Sequence, residues 1–327
     1  MKKRKSSAVN KDHYGYIFIA PFIIVFVTFI LYPIFNTFRL SLTDANLMTG
    51  FQGDFVGIDN FTRLLNETMF RRAAFNTWML WLFNFIPQMI LALVLAAIFS
   101  NSTIKIRGKG LFKVMYYLPN LLMPVTVAAM FSAYLAVHGP LNQLLVGATG
   151  LMAEPRNFLG SPFDTRVAVI FIQTWMWFGQ TAIVLVAGMT SISPTYYESA
   201  MIDGAGQRKM FFHITLPLIK PILLFVLVTS LVGGLQMFEI PRMLTNAFGA
   251  PDHSILTMNM FMDLRRGFPA GAIGSAASIS VVLFFMSSFV ALILFKLLGE
   301  RSEEEELRRL EKKRRKSFSV KEQGGAK

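Results

Sequence analysis

The sequence predicts an all-α integral membrane protein with six transmembrane helices. Of its 327 residues, 54% are hydrophobic and the mean hydropathy is +0.49. Only 16% are charged, whereas a water-soluble domain has about a quarter of its residues charged. Six stretches almost free of Asp, Glu, Lys and Arg are each long enough to cross the hydrocarbon core. We place these spans at 14–38, 74–99, 114–137, 167–189, 217–238 and 272–296.

The first span follows a basic segment at residues 1–13. Its apolar core is longer than that of a signal peptide, and no small-x-small cleavage pattern follows it, so we expect it to stay as an anchor. The transmembrane domain then covers residues 14–298, and a charged tail occupies 299–327. Because the number of spans is even, both ends of the chain lie on one side of the membrane.

The distribution of basic residues predicts which side that is. Of the 32 Lys and Arg, 23 fall on the side of the two termini and 9 on the other. The positive-inside rule therefore predicts that both termini are cytoplasmic. The formal net charge of +13 belongs entirely to that face, so it indicates orientation and lipid contact rather than a nucleic-acid surface.

Several classes of chemistry are excluded by what the sequence lacks. Without cysteine there is no disulfide scaffold, iron–sulfur cluster or thiolate zinc site. The sequence contains no H-E-x-x-H, no G-x-S-x-G and no phosphate-binding G-x-x-x-x-G-K-[ST]. We therefore predict no catalytic residue, metal site or cofactor, and expect any ATP to bind a partner chain. The near absence of ionisable side chains in the spans argues against ion-coupled carriers and proton pumps.

The fourth span carries polar residues on one helical face. Gln173, Trp177 and Gln180 recur at i, i+4 and i+7 near its midpoint. An aromatic ring flanked by amides suits a sugar, which stacks its apolar face on the ring and bonds its hydroxyls to the amides. Hydrogen bonding to neighbouring helices is an equally good interpretation.

The fifth span ends in small and polar residues. Gly233, Gly234 and Gln236 allow a close backbone approach, for which helix packing is the commoner reason. Glu239 closes the span on the outer side, where an acidic residue is usually solvated. The predicted substrate path consists of Gln173, Trp177, Gln180, Gly233, Gln236 and Glu239.

The loop at 190–217, between the fourth and fifth spans, carries the strongest motif. Ser193 and Pro194 predict a helix start that runs to Asp203, followed by a glycine break. Small residues there leave a smooth surface that another protein can approach closely. The motif residues are Glu198, Ser199, Ala200, Asp203, Gly204, Ala205, Gly206, Phe211, Leu216 and Pro217.

This motif resembles the EAA loop of binding-protein-dependent ABC importer permeases, with Ser199 in place of the usual Ala. Other segments resemble the carbohydrate-uptake branch, which includes maltose and glycerol-3-phosphate permeases. They are 55–61 (FVGIDNF), 118–120 (LPN) and 139–142 (GPLN). Where that branch commonly has a T-x-G-G-P turn, this chain has TNAFGAP at 245–251.

The resemblance implies a type I importer permease with a cytoplasmic EAA coupling helix, in the plasma (inner) membrane of a bacterium or archaeon. It also implies a set of partners: a second related permease, two cytoplasmic ABC ATPase subunits, an extracytoplasmic solute-binding protein, a sugar substrate and the lipid bilayer. Two alternatives remain. The same machinery would import glycerol-3-phosphate or a polyamine, or the chain would be a membrane scaffold that uses the loop only for binding.

Overall fold

The computed structural model describes residues 12–48, 51–101, 107–246, 255–267 and 272–298. Within these ranges the chain is helical apart from short connections and two isolated β-bridges. Most of the basic N-terminal segment, the 247–251 part of the divergent outer turn and the charged tail at 299–327 lie outside the described residues.

Six helical segments of the described chain are long and apolar enough to cross a membrane, which confirms the predicted all-α fold with six spans. They are Gly15–Ser41, Thr68–Ser100, Pro124–Ala148, Pro162–Thr190, Lys220–Thr245 and Ile273–Leu298. The fourth span begins before its predicted start at residue 167. Its first turn is set by Ser161, whose Oγ accepts a hydrogen bond from the Asp164 N–H (3.1 Å), and by Pro162 as first helical residue.

The helices are named in chain order. They are α1 (Asp12–Phe26), α2 (Tyr32–Ser41), α3 (Asp59–Asn66), α4 (Thr68–Ser100), α5 (Lys109–Tyr117), α6 (Pro124–Leu135), α7 (Pro140–Asn142), α8 (Pro162–Thr190), α9 (Pro194–Ile202), α10 (Gln207–Met210), α11 (Leu216–Leu218), α12 (Lys220–Leu235), α13 (Glu239–Asn246), α14 (Met258–Gly267) and α15 (Ile273–Leu298). Wider π-type turns at Val27–Leu31 and Phe211–Thr215 join α1 to α2 and α10 to α11.

The predicted third span at 114–137 is divided, and the apolar segment of the structure begins only after the division, at Pro124. Helix α5 ends at Tyr117, a short 3₁₀ turn follows at Leu118–Leu121, and α6 starts only at Pro124. Pro119 and Pro124 both lack an N–H, and a proline ring clashes with the carbonyl four residues before it. The two prolines therefore explain why one helix cannot run through this stretch.

The fifth span is interrupted at residues 236–238, and it continues past 238, where we expected it to end. Helix α12 stops at Leu235, residues 236–238 are not helical, and α13 resumes at Glu239. Pro241 accounts for the break, because a continuous helix would need its missing N–H to bond the Met237 carbonyl. The fifth span is thus two helices in series.

The chain divides into two compact units. The first contains Met1–Thr77 and Leu256–Met286, and the second contains Trp78–Ile255 and Ser287–Lys327. In the first unit, the Asn60 side chain donates to the backbone carbonyls of Ser41 (2.9 Å) and Thr43 (2.8 Å), which fixes the chain after the first span. The Met258 N–H donates to Thr77 Oγ1 (2.9 Å) and attaches the start of α14 to α4.

The core of the second unit is built around α8. One buried apolar cluster packs the first half of α8 against α4, α6 and α13, and a second packs its last turns against α4 and α12. Gly179, between the two clusters, lies against the backbone at Tyr116, where a Cβ would overlap the Tyr116 carbonyl oxygen. This contact lets the end of α5 approach α8 closely.

Substituting Gly179 tests this close approach. Gly179→Ala forces a backbone shift, so we expect a loss of about 1–3 kcal/mol of stability and a lower midpoint of thermal unfolding in detergent. Gly233→Ala is the matched control, because a Cβ at this other helical glycine meets nothing within 4 Å. Equal unfolding midpoints for the two variants would contradict the tight contact.

Candidate functional site

A cavity of about 230 Å³ lies in the second unit, bordered by α4, α8, α12 and α13. It includes all six side chains or glycines of the predicted substrate path. These are Gln173, Trp177, Gln180, Gly233, Gln236 and Glu239. The fourth and fifth spans therefore bring their polar positions to one cavity.

The polar face of α8 presents an open aromatic ring. Trp177 is 40% exposed, and its indole Nε1–H donates to Gln173 Oε1 (2.9 Å) on the same helix. The Gln180 side chain is exposed, and within the described chain it forms no hydrogen bond. Among the described residues, none of these three side chains forms a hydrogen bond to another helix.

The bonds that do join two spans involve residues that we did not single out. Gln88 Nε2 on α4 donates to Thr181 Oγ1 on α8 (2.8 Å), and Thr174 Oγ1 donates to Asn84 Oδ1 (3.2 Å). All four side chains are buried. Asn84 and Gln88 stand at i and i+4 in a charge-free span, the same signal that drew attention to Gln173 and Trp177.

The two neighbouring glycines of α12 differ in role. Gly234 packs against the indole of Trp81, which leaves no room for a Cβ and matches the helix-packing interpretation. Gly233 faces open space and widens the cavity instead. Beyond them, Gln236 lies in the break between α12 and α13, and Glu239 begins α13. Both of these side chains are exposed, and both border the cavity.

The segment between α8 and α12 has the predicted helix, glycine break and second helix. Helix α9 contains no buried residue, and Ile202 at its end is 87% exposed. Pro194 is the first helical residue as expected, but Ser193 does not cap the helix, because its hydroxyl donates to Thr195 Oγ1 instead (3.2 Å).

The glycine break is a Schellman turn. The Ala205 N–H donates to the Ala200 carbonyl (2.9 Å) and the Gly204 N–H to the Met201 carbonyl (3.0 Å). Gly204 has a φ of +75°, a left-handed conformation that costs other residues about 1–2 kcal/mol. The turn thus explains why glycine stands at this position.

The motif residues separate into an exposed and an anchored set. Exposed are Glu198, Ser199, Asp203, Gly204, Gly206 and Pro217, while Ala200, Ala205, Phe211 and Leu216 are half-buried. Phe211 and Leu216 pack against the second apolar cluster, and the Tyr197 hydroxyl bonds Thr215 Oγ1 (2.9 Å). The anchored residues hold the exposed ones against the start of the fifth span.

The comparison with known proteins identifies the family. Residues 77–303 match the family described as binding-protein-dependent transport system inner membrane component. The chain belongs to this family. It is therefore a multi-pass inner membrane permease, the non-enzymatic membrane component of an ABC transport system that depends on a binding protein.

The relatives of this permease include named sugar transport proteins. The lactose transport system permease protein LacF of Rhizobium radiobacter is 34% identical, with 89% of this chain and 95% of that protein covered. The arabinooligosaccharides transport system permease protein AraP of Bacillus subtilis is 30% identical, with 89% and 90% covered.

Solved structures share the fold. A chain of a bacterial ABC transporter involved in the import of the acidic polysaccharide alginate superimposes with a TM-score of 0.71 at 22% identity, covering 90% of this permease and 97% of that chain. A chain of the alginate transporter in complex with an alginate pentasaccharide-bound periplasmic protein gives a TM-score of 0.64 at 25% identity, with 90% and 95% covered. Together these comparisons confirm the type I importer permease architecture.

The hydrogen bond between Gln88 and Thr181 is testable by a double-mutant cycle. Gln88→Leu and Thr181→Val should each destabilise the purified permease, and together they should cost less than the sum, with a coupling of about 0.6–1.7 kcal/mol. Thr229→Val is the control, because the Thr229 hydroxyl bonds only carbonyls of its own helix. Strictly additive losses in thermal unfolding would contradict an interhelical bond.

Proposed function

We propose that this permease forms the translocation path of an ATP-driven importer for a mono- or oligosaccharide. The observation that carries the proposal is the cavity, in which an open indole face lies beside the exposed amides of Gln180 and Gln236, which form no side-chain hydrogen bond within the described residues. An indole binds the apolar face of a sugar ring, and free amides bind its hydroxyls. The lactose and arabinooligosaccharide names of the relatives support the same cargo class.

The size of the cavity supports a second permease subunit. Closed ligand pockets usually measure about 300–1,000 Å³. A cavity of about 230 Å³ that opens on one side corresponds to part of such a pocket. We expect a related permease to supply the facing wall, and an extracytoplasmic solute-binding protein to deliver the sugar from outside.

The segment around α9 is the proposed contact with the ATPase. The apolar side chains of Tyr196, Met201 and Ile202 are exposed in this segment. If both termini are cytoplasmic, these side chains face the cytoplasm. The exposed carboxylates of Glu198 and Asp203 provide charge for pairing. ATP would bind two ATPase subunits, one of them seated on this helix, and their closure would move the permease between inward-open and outward-open states.

The orientation follows from the same assignment. If α9 contacts cytoplasmic ATPase subunits, an even number of spans puts both termini in the cytoplasm, in agreement with the excess of Lys and Arg on that side. The cavity borders the middle of the fifth span, from Phe225 to Ile240. Energy would therefore be received at the start of the fifth span and cargo held along its middle.

Charge reversal on α9 tests the coupling role. Glu198→Lys should abolish uptake by the assembled transporter, and sugar-stimulated ATP hydrolysis with it, because it changes a solvent-exposed surface without disturbing the core. Glu154→Lys, the same change at an exposed residue before α8, should leave both unchanged. Normal uptake by Glu198→Lys, with the ATPase still bound, would rule out the coupling role.

Substitution of the cavity indole tests the sugar path. Trp177→Ala should raise the KM for uptake about tenfold in proteoliposomes supplied with lactose, arabino-oligosaccharides or maltose, because one stacking surface is lost. Trp177→Phe keeps an aromatic face but loses the bond to Gln173, so we expect a smaller increase. An unchanged KM for whichever of these sugars the complex imports would show that the cargo does not use this wall.

A further inference from the structure

The cavity contains a single charged side chain. Among the described residues that border it, the polar groups are amides and hydroxyls, no Lys, Arg or His is present, and Glu239 supplies the one carboxylate. The electrostatic character of this wall is therefore decided by one residue.

Glu239 has no partner in the described part of the chain. Its side chain is exposed and takes part in no ion pair or hydrogen bond there. Arg242, one turn further along α13, does not border the cavity. An acidic group that serves only the fold of a membrane protein is normally paired, so a free carboxylate facing a cavity points to a role in what enters.

The break in the fifth span explains why the carboxylate is placed there. The Phe238 carbonyl accepts the first helical bond of α13 from the Arg242 N–H (2.9 Å), so the positive end of this helix is directed at the break. Such an end would by itself favour an anionic ligand. Glu239, in the first turn, provides the negative charge from within the chain.

We propose that Glu239 makes the cavity select against anionic cargo, so that uncharged sugars enter and sugar acids are rejected. The inference rests on the proposed function, in which this cavity carries the cargo. A sugar hydroxyl can donate a charge-assisted hydrogen bond to the carboxylate. A uronate or phosphorylated sugar would instead be desolvated beside a like charge, with no cationic side chain on this wall to compensate.

The absence of cysteine from the chain makes the local potential directly measurable. Ser230 borders the cavity, and Ser230→Cys introduces the one thiol of this subunit. In the assembled transporter, the rates of modification by a cationic and an anionic methanethiosulfonate reagent of similar size are compared by mass spectrometry of this subunit. Gly147→Cys serves as the reference thiol, because a Cβ at exposed Gly147 meets nothing within 4 Å.

We expect the cation-to-anion rate ratio at residue 230 to exceed the reference ratio by about tenfold, since one nearby charge changes the local concentration of each ion about threefold in opposite directions. Glu239→Gln should return the ratio to the reference, and Glu154→Gln should leave it raised. Gln236→Glu, which adds a carboxylate, should raise it further.

A ratio at residue 230 that equals the reference, or that Glu239→Gln does not change, would overturn the proposal. The measurement needs no transport, so it is independent of the uptake assays that test the sugar path. Failure of those assays with a raised ratio would show that the cargo does not use this wall, and only the negative local potential of the cavity would remain.

Discussion

The fold depends on a constraint that lipid imposes: every backbone and side-chain polar group inside the membrane needs a partner or a water-filled space. The buried bonds of Gln88 with Thr181 and of Asn84 with Thr174 satisfy it between two spans. The interrupted fifth span satisfies it differently, because its non-helical residues 236–238 adjoin a cavity. Irregular backbone and free polar side chains thus occur together, where water or cargo can bond to them.

The sequence predicts most of the helical arrangement. The features that it does not predict depend on proline positions and on contacts between spans. The six spans follow from apolar length, and the helix and glycine break of 194–206 follow from Pro194 and Gly204. The interruptions at 118–123 and 236–238 were missed because hydropathy averages over a window and does not register Pro119 or Pro241. The hydrogen bond between Gln88 and Thr181 was not predicted, because the sequence of one span does not show which side chain of another span lies opposite its amide.

The candidate cavity was also predicted only in part, because local sequence patterns do not show tertiary contacts. Gln173, Trp177 and Gln180 share a face that helical periodicity predicts, and they do lie together. The place of Glu239 at the cavity was not predicted from its own span, since it depends on the break at 236–238 and on Pro241 two residues later. The difference between Gly233 and Gly234 depends on where Trp81 packs, which is a tertiary contact with no local signal.

The anchoring of the α9 segment gives the fifth span a mechanical property. Phe211 and Leu216 are packed in the same cluster as Ile219 and Val226, so the segment cannot move without moving the start of α12. Helix α12 has no proline after its first turn and is a stiff rod about 24 Å long. The rod ends at a joint, residues 236–238. In the proposed coupling, a displacement applied at α9 would be carried along this rod to residues 236–238 and to α13, which packs against α6 and α8 and borders the cavity.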